Sequence, residues 1–184
     1  MKKVLLIVGS LRKQSFNRQL AGVVRELIAD QAQVEELVWT DVPLLNQDIE
    51  NPVPPAVARI REEVSQADAI WICTPEYNSN IPGGEKNLLD WLSRPADPAD
   101  ITSPSVIKGK VAAISGVGGR PATAGVRAKM EELLGFMGLA VVGGTGFGFS
   151  LDPASWMSNE LTLTEEKRSE LEGLVGEFID RLNG

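Results

Sequence analysis

Short apolar runs of strand length alternate along this chain with segments whose apolar residues recur at helical spacing, and nothing else in the sequence constrains its fold so strongly. Strand followed by helix, repeated, is the signature of βαβ units, which assemble into a parallel sheet covered by helices. Five strands are expected over residues 3–9, 33–39, 67–74, 110–117 and 139–143, with helices over 17–29, 54–65, 84–93, 123–137 and 164–182. In the first helix Leu20, Val23, Val24, Leu27 and Ile28 share one face, so that face packs on the sheet while Arg18, Arg25 and Glu26 turn towards water. Leu171, Leu174, Val175, Phe178 and Ile179 do the same in the last helix. The expected fold class is α/β, a doubly wound parallel five-stranded sheet of order 2-1-3-4-5 with helices on both faces. With 184 residues, 43% hydrophobic and 23% charged, the chain holds the material of a single domain, residues 1–184. Residues 95–109 and 143–163 read as loops, with the glycines of 143–148 supplying turns.

Charge and cysteine usage exclude several classes of function. A net charge of −7 without any basic run argues against nucleic acid as a partner. The apolar stretch from Met1 to Gly9 is too short to span a bilayer and lacks a signal-peptide pattern, so it reads as the first strand and no membrane partner is expected. Cys73 is the sole cysteine and histidine is absent, which removes intrachain disulfides, thiolate zinc sites, iron–sulfur clusters and histidine-based triads. No metal is expected, and a reducing, cytoplasmic location fits.

Three loops lie at the carboxyl ends of strands one, three and four, where an open α/β sheet keeps its ligand crevice. The first, residues 9–17, runs into a helix whose amino terminus offers unpaired N–H groups and a partial positive charge. Ser10, Ser15 and Asn17 add short donors and Arg12 a cation, a set that suits a phosphate monoester. Ser15 or Asn17 as a plain helix cap is the other reading, and the two can coexist. Neither the Gly-x-Gly-x-x-Gly fingerprint nor a Walker loop is present, which removes the main support for dinucleotide binding of that kind and for nucleotide hydrolysis. The second loop, from Pro75 to Gly84, joins an apolar strand to a helix and is rich in turn formers, amides and an aromatic. The third begins Ser115-Gly116-Val117-Gly118-Gly119-Arg120 and ends a strand; its glycines serve either a turn or a close ligand, and Arg127 either a solvated helix face or a ligand.

The first loop reads Gly-Ser-x-Arg-x-x-Ser-x-Asn over residues 9–17. The second reads Pro-Glu-Tyr-Asn-x-x-x-Pro-Gly, followed by Lys-Asn-x-x-Asp-Trp, over residues 75–91. Together these motifs resemble the NADPH-dependent FMN reductases, a flavodoxin-like family that includes bacterial quinone, azo and chromate reductases. The resemblance implies a tightly held FMN, with its phosphate at Ser10, Arg12, Ser15, Phe16 and Asn17. Its ring would lie against Pro75, Glu76, Tyr77 and Asn78, and Ser115, Gly116 and Gly118 would line the other edge. It further implies that the flavin carries the chemistry, with no catalytic side chain: NADPH or NADH reduces FMN, leaves, and a small-molecule acceptor such as a quinone enters the same face.

Family members are commonly homodimers or homotetramers, with Trp91, Trp156 and Met157 as candidate contacts. Glu85 departs from the apolar residue usual before Lys-Asn; as a charge in the helix's first turn it is compatible with the fold and expected to alter a subunit contact. Arg120 and Arg127 are expected near cofactor phosphates. Two competing functions remain, a flavodoxin-like FMN electron carrier without nicotinamide activity and a phosphosugar or nucleotide-binding module. The latter leaves Pro75–Asn78 without a purpose.

Overall fold

The computed structural model describes residues 1–184. Its elements follow in the order β1 (Lys3–Val8), α1 (Phe16–Ile28), β2 (Gln33–Glu36), α2 (Pro55–Gln66), β3 (Ala69–Cys73), α3 (Gly83–Leu92), β4 (Val111–Gly118), α4 (Ala124–Phe136), β5 (Ala140–Val141), β6 (Phe147–Ser150), α5 (Pro153–Ser158) and α6 (Glu165–Asn183). The sheet has the order β2-β1-β3-β4-β5, all neighbours parallel, which is the flavodoxin-like order expected from the sequence.

The continuous apolar runs of the central strands follow from burial on both faces. Side chains alternate along a strand, so Val4, Leu6 and Val8 of β1 join the core under α1 and α6, and Leu5 and Ile7 join the core under α2, α3 and α4. Trp71 points to the first of these cores, where its ring meets Phe178 of α6 edge-on at 5.1 Å. Leu20, Val24 and Ile28 of α1 are fully buried, and burying a side chain of that size is worth roughly 1.5–3 kcal/mol.

Three expectations are corrected. The second strand leaves the sheet after Glu36 rather than continuing to 39, because Leu37 and Trp39 turn inward, with Trp39 packing beside Gly84 at the start of α3. The fifth strand position is filled by two pieces, not one: β5 pairs with β4 at Val111 and Ala112, and β6 pairs with β4 from Ser115 to Gly118. Between them Gly143, Gly144 and Gly146 all have positive φ, and a Cβ on Gly146 would collide with the Ile114 carbonyl of β4. Residues 143–163 are therefore not a plain loop. They hold β6 and α5, and the Phe147, Phe149, Leu151 alternation that buries three side chains in one core marks the strand.

Candidate functional site

The end of β1 and the start of α1 form the first wall. Gly9 N–H donates to the Cys73 carbonyl at 2.9 Å, keeping β1 and β3 in register to their tips. Ser15 is the N-cap of α1, its hydroxyl accepting from Arg18 N–H at 3.1 Å. That leaves the N–H groups of Phe16 and Asn17 with no acceptor in the chain, at the positive end of a 13-residue helix. Ser10 and Ser15 are buried beside them. Asn17 differs from the expectation of a free donor: its Nδ2 donates to the Val117 carbonyl and its Oδ1 accepts from Val117 N–H, both at 2.9 Å. The side chain thus stitches the first loop to the third, leaving only its backbone N–H for a ligand.

The second wall is the turn after β3. Asn78 and Ser79 both take left-handed backbone angles, φ 52° and 56°, and Tyr77 and Asn80 bond each other across them. Asn78 therefore shapes the turn that presents Tyr77, half exposed, and is not itself a wall residue. Glu76 reaches to α4, where its Oε2 accepts from Val126 N–H at 2.9 Å. It supplies the cap that Thr123, at φ 58°, does not. Asn87 and Trp91 hold residues 43–45 against α3 through the Pro43 carbonyl and Leu45 N–H, so this part of the motif is scaffold.

Glu85 is corrected most sharply. It does not lie at the surface but is fully buried beneath the first two loops, against Gly9, where a Cβ would come within 2.5 Å of its carboxylate. Oε2 lies 2.5 Å from Thr74 Oγ1, and Oε1 has no partner. Burial pushes the carboxyl up to about 8, so it is protonated at neutral pH. A protonated carboxyl also suits Thr74, whose one hydroxyl hydrogen is within reach of both Glu85 Oε2 and the Pro75 carbonyl. Nearby Cys73 is pushed up to about 12, mainly by burial, and stays a thiol.

The third wall begins later than expected. β4 runs to Gly118, paired with β6, and its residues Ser115 and Gly116 are taken up by packing within the fold. Ser115 is fully buried and accepts from the Trp71 indole N–H at 2.9 Å. Gly116 is demanded by packing, since a Cβ there would strike Thr123 and the Thr74 carbonyl. Val117, Gly118 and Gly119 form the wall itself. Arg127 does not face the cavity; it donates to the carbonyls of Thr145 and Gly146, both at 2.8 Å, which the break in the fifth strand leaves unpaired, and Arg120 does not line the cavity either.

A fourth wall was not foreseen. Leu151 N–H donates to the Gly118 carbonyl at 2.8 Å, and α5 brings Trp156 edge-on to Phe16 at 5.3 Å. Trp156 is thus on a helix, not a loop, and 56% exposed, whereas Trp91 is fully buried. Together the four walls enclose a cavity of about 230 Å³. It gathers Ser10, Arg12, Ser15, Phe16, Asn17, Pro75, Glu76, Tyr77 and Gly118, with Val117, Gly119, Leu151 and Trp156 added; Asn78, Ser115 and Gly116 fall outside it. One end is cationic and rich in free N–H groups, and the rest is backbone and aromatic surface. That donor set fits a flat ring system bearing a phosphate.

A sequence profile of the NADPH-dependent FMN reductases matches residues 2–153. The chain is 43% identical over 93 residues to a quinone reductase of Pseudomonas putida, a stretch covering 50% of each protein, so it spans about half the length of that relative. It is 29% identical over 177 residues to a 2-hydroxy-1,4-benzoquinone reductase of Burkholderia, covering 96% of this chain and 93% of the other. Among solved structures, FerB, a flavoenzyme NAD(P)H:(acceptor) oxidoreductase from Paracoccus denitrificans, superposes with a TM-score of 0.86 at 29% identity, over 100% of this chain and 98% of that one.

Proposed function

This chain belongs to the NADPH-dependent FMN reductase family, and from that membership we propose that it binds FMN in the four-walled cavity and reduces a small-molecule acceptor such as a quinone at the expense of NADPH or NADH. The observation that carries the reading is the convergence of three separate strand-end loops on one cavity with a cationic, N–H-lined end. FMN, held by these residues, would supply the redox chemistry between nicotinamide and acceptor.

The chain's own residues bind and orient. Arg12, the free N–H groups of Phe16 and Asn17, and the hydroxyls of Ser10 and Ser15 hold the phosphate. Pro75, Glu76, Tyr77 and Gly118 shape the ring's surroundings, Glu76 by fixing its loop to α4. No side chain of this wall has to move a proton.

Assembly as a homodimer or homotetramer is part of the same proposal. It is supported by exposed apolar side chains beside the site, Leu44 at 79% and Tyr77 at 50%. A cytoplasmic location is proposed on the ground that Cys73 is free and buried; no helix is long and apolar enough to cross a membrane.

An anaerobic absorbance experiment tests the reading. The FMN-loaded protein should bleach on addition of NADPH or NADH and recover its flavin band on addition of a quinone. Flavin that ignores both nicotinamides would make the chain an electron carrier, and failure to retain FMN would remove the site assignment.

A further inference from the structure

Arg12 stands on an exposed loop and has one hydrogen-bond acceptor in the chain, an uncharged one: its Nη1 donates to Asn159 Oδ1 at 2.7 Å. Asn159 comes from the far end of the sequence, at the close of α5, where it takes a left-handed conformation at φ 57°. It is anchored by two further bonds, one of them to a glutamine that is itself held. Its Nδ2 donates to the Gln14 carbonyl at 3.2 Å, its own carbonyl accepts from Gln19 Nε2 at 2.9 Å, and Gln19 Oε1 accepts from Leu161 N–H at 2.7 Å. The guanidinium so held lies over the Phe16 ring, 5.5 Å from its centroid, with Trp156 against the same ring.

An exposed arginine loses rotamer freedom when it grips an anion, and a side chain already tethered in place loses less. The nature of the tether matters. An aspartate here would pair with Arg12 but offset its charge, lose the bond to the Gln14 carbonyl and set a negative group facing the ligand's phosphate, whereas the amide holds both partners and leaves the guanidinium's charge and remaining N–H groups for the ligand.

We propose that Asn159 is a positioning residue for the phosphate end of the cavity, holding Arg12 over Phe16 without neutralising it, and that it thereby sets the chain's preference for a phosphorylated flavin over the unphosphorylated one. The proposal rests on the FMN reading above and deepens it. It also gives the 152–161 segment a task in ligand retention.

Fluorescence titration of the 184-residue chain with FMN and with riboflavin separates the possibilities. Asn159→Gly suits the left-handed backbone and removes only the side chain. It should raise the Kd for FMN about three- to tenfold and leave riboflavin within about twofold, an effect that a general loosening of the fold would not produce. Asn159→Asp should weaken FMN further, again sparing riboflavin. In an Arg12→Ala background Asn159→Gly should have no added effect, since its action passes through Arg12. Equal weakening of both flavins, an unchanged FMN Kd, or effects of the two substitutions that multiply would each overturn the proposal. A wild-type chain without preference for FMN overturns the FMN reading and this inference together, whereas a preference that needs Arg12 and ignores Asn159 overturns the inference alone.

Discussion

Glu85 concentrates the most consequential chemistry of any one residue outside the cavity. In the unfolded chain its carboxyl ionises near 4.5, and in the fold it holds its proton up to about 8. Between those values the folded state binds a proton that the unfolded state has released, so stability falls as pH rises from 4.5 to 8 and is flat beyond. The loss from this group between pH 5 and pH 8 is on the order of 3 kcal/mol. Glu85→Gln keeps the shape and a donor for Thr74 but cannot ionise. Urea midpoints measured across that range should therefore fall less steeply for the variant than for the parent, and the variant should be the more stable at pH 8. Parallel pH profiles would show that Glu85 is ionised in the fold. At the same scale, Asn17→Ala removes two buried 2.9 Å bonds and orphans both polar groups of Val117. A destabilisation of about 2–3 kcal/mol in denaturant unfolding is expected.

At the scale of elements, the interrupted fifth strand and the helix after it decide how the site is closed. Gly146→Ala places a methyl group against the Ile114 carbonyl at a backbone angle that disfavours it, and should cost at least ~2 kcal/mol, read as a clear fall in Tm. For α5, Trp156 is the one tryptophan of four with appreciable exposure; Trp39 is 6% exposed and Trp71 and Trp91 are fully buried. Iodide should quench one accessible emitter in the flavin-free protein and lose that access when FMN fills the cavity, and Trp156→Phe should abolish the accessible fraction. The sequence made α1 legible because Ser15, a cap residue, directly precedes the apolar face of Leu20 and Val24. It placed Ser115 and Gly116 at the end of a strand but could not reveal that they face packing rather than the cavity, since that depends on Trp71 and Thr123, which lie far away or beyond the loop in sequence. Phe147 and Phe149 carried a two-residue alternation that marks β6, but the glycines among them read as turns. Asn159 gave no local sign at all: its partner Arg12 lies 147 positions away.

For the whole molecule, the two-sided core was the most legible feature, because strands buried on both faces must be continuously apolar and their helices must each show one apolar face. Assembly was not legible from the same pattern, which records burial within the chain alone. The exposed Leu44 beside the second loop makes assembly testable: sedimentation should give a dimer or tetramer, and Leu44→Glu should shift it towards the monomer with flavin affinity retained. The sheet's margins have a further consequence. On one side β2 offers only four residues, two of them glutamates, and on the other β5 and β6 offer two and four residues split by a glycine excursion. Both margins are short, and one is charged and the other broken, which are the features that blunt an open edge against templating a strand from another molecule.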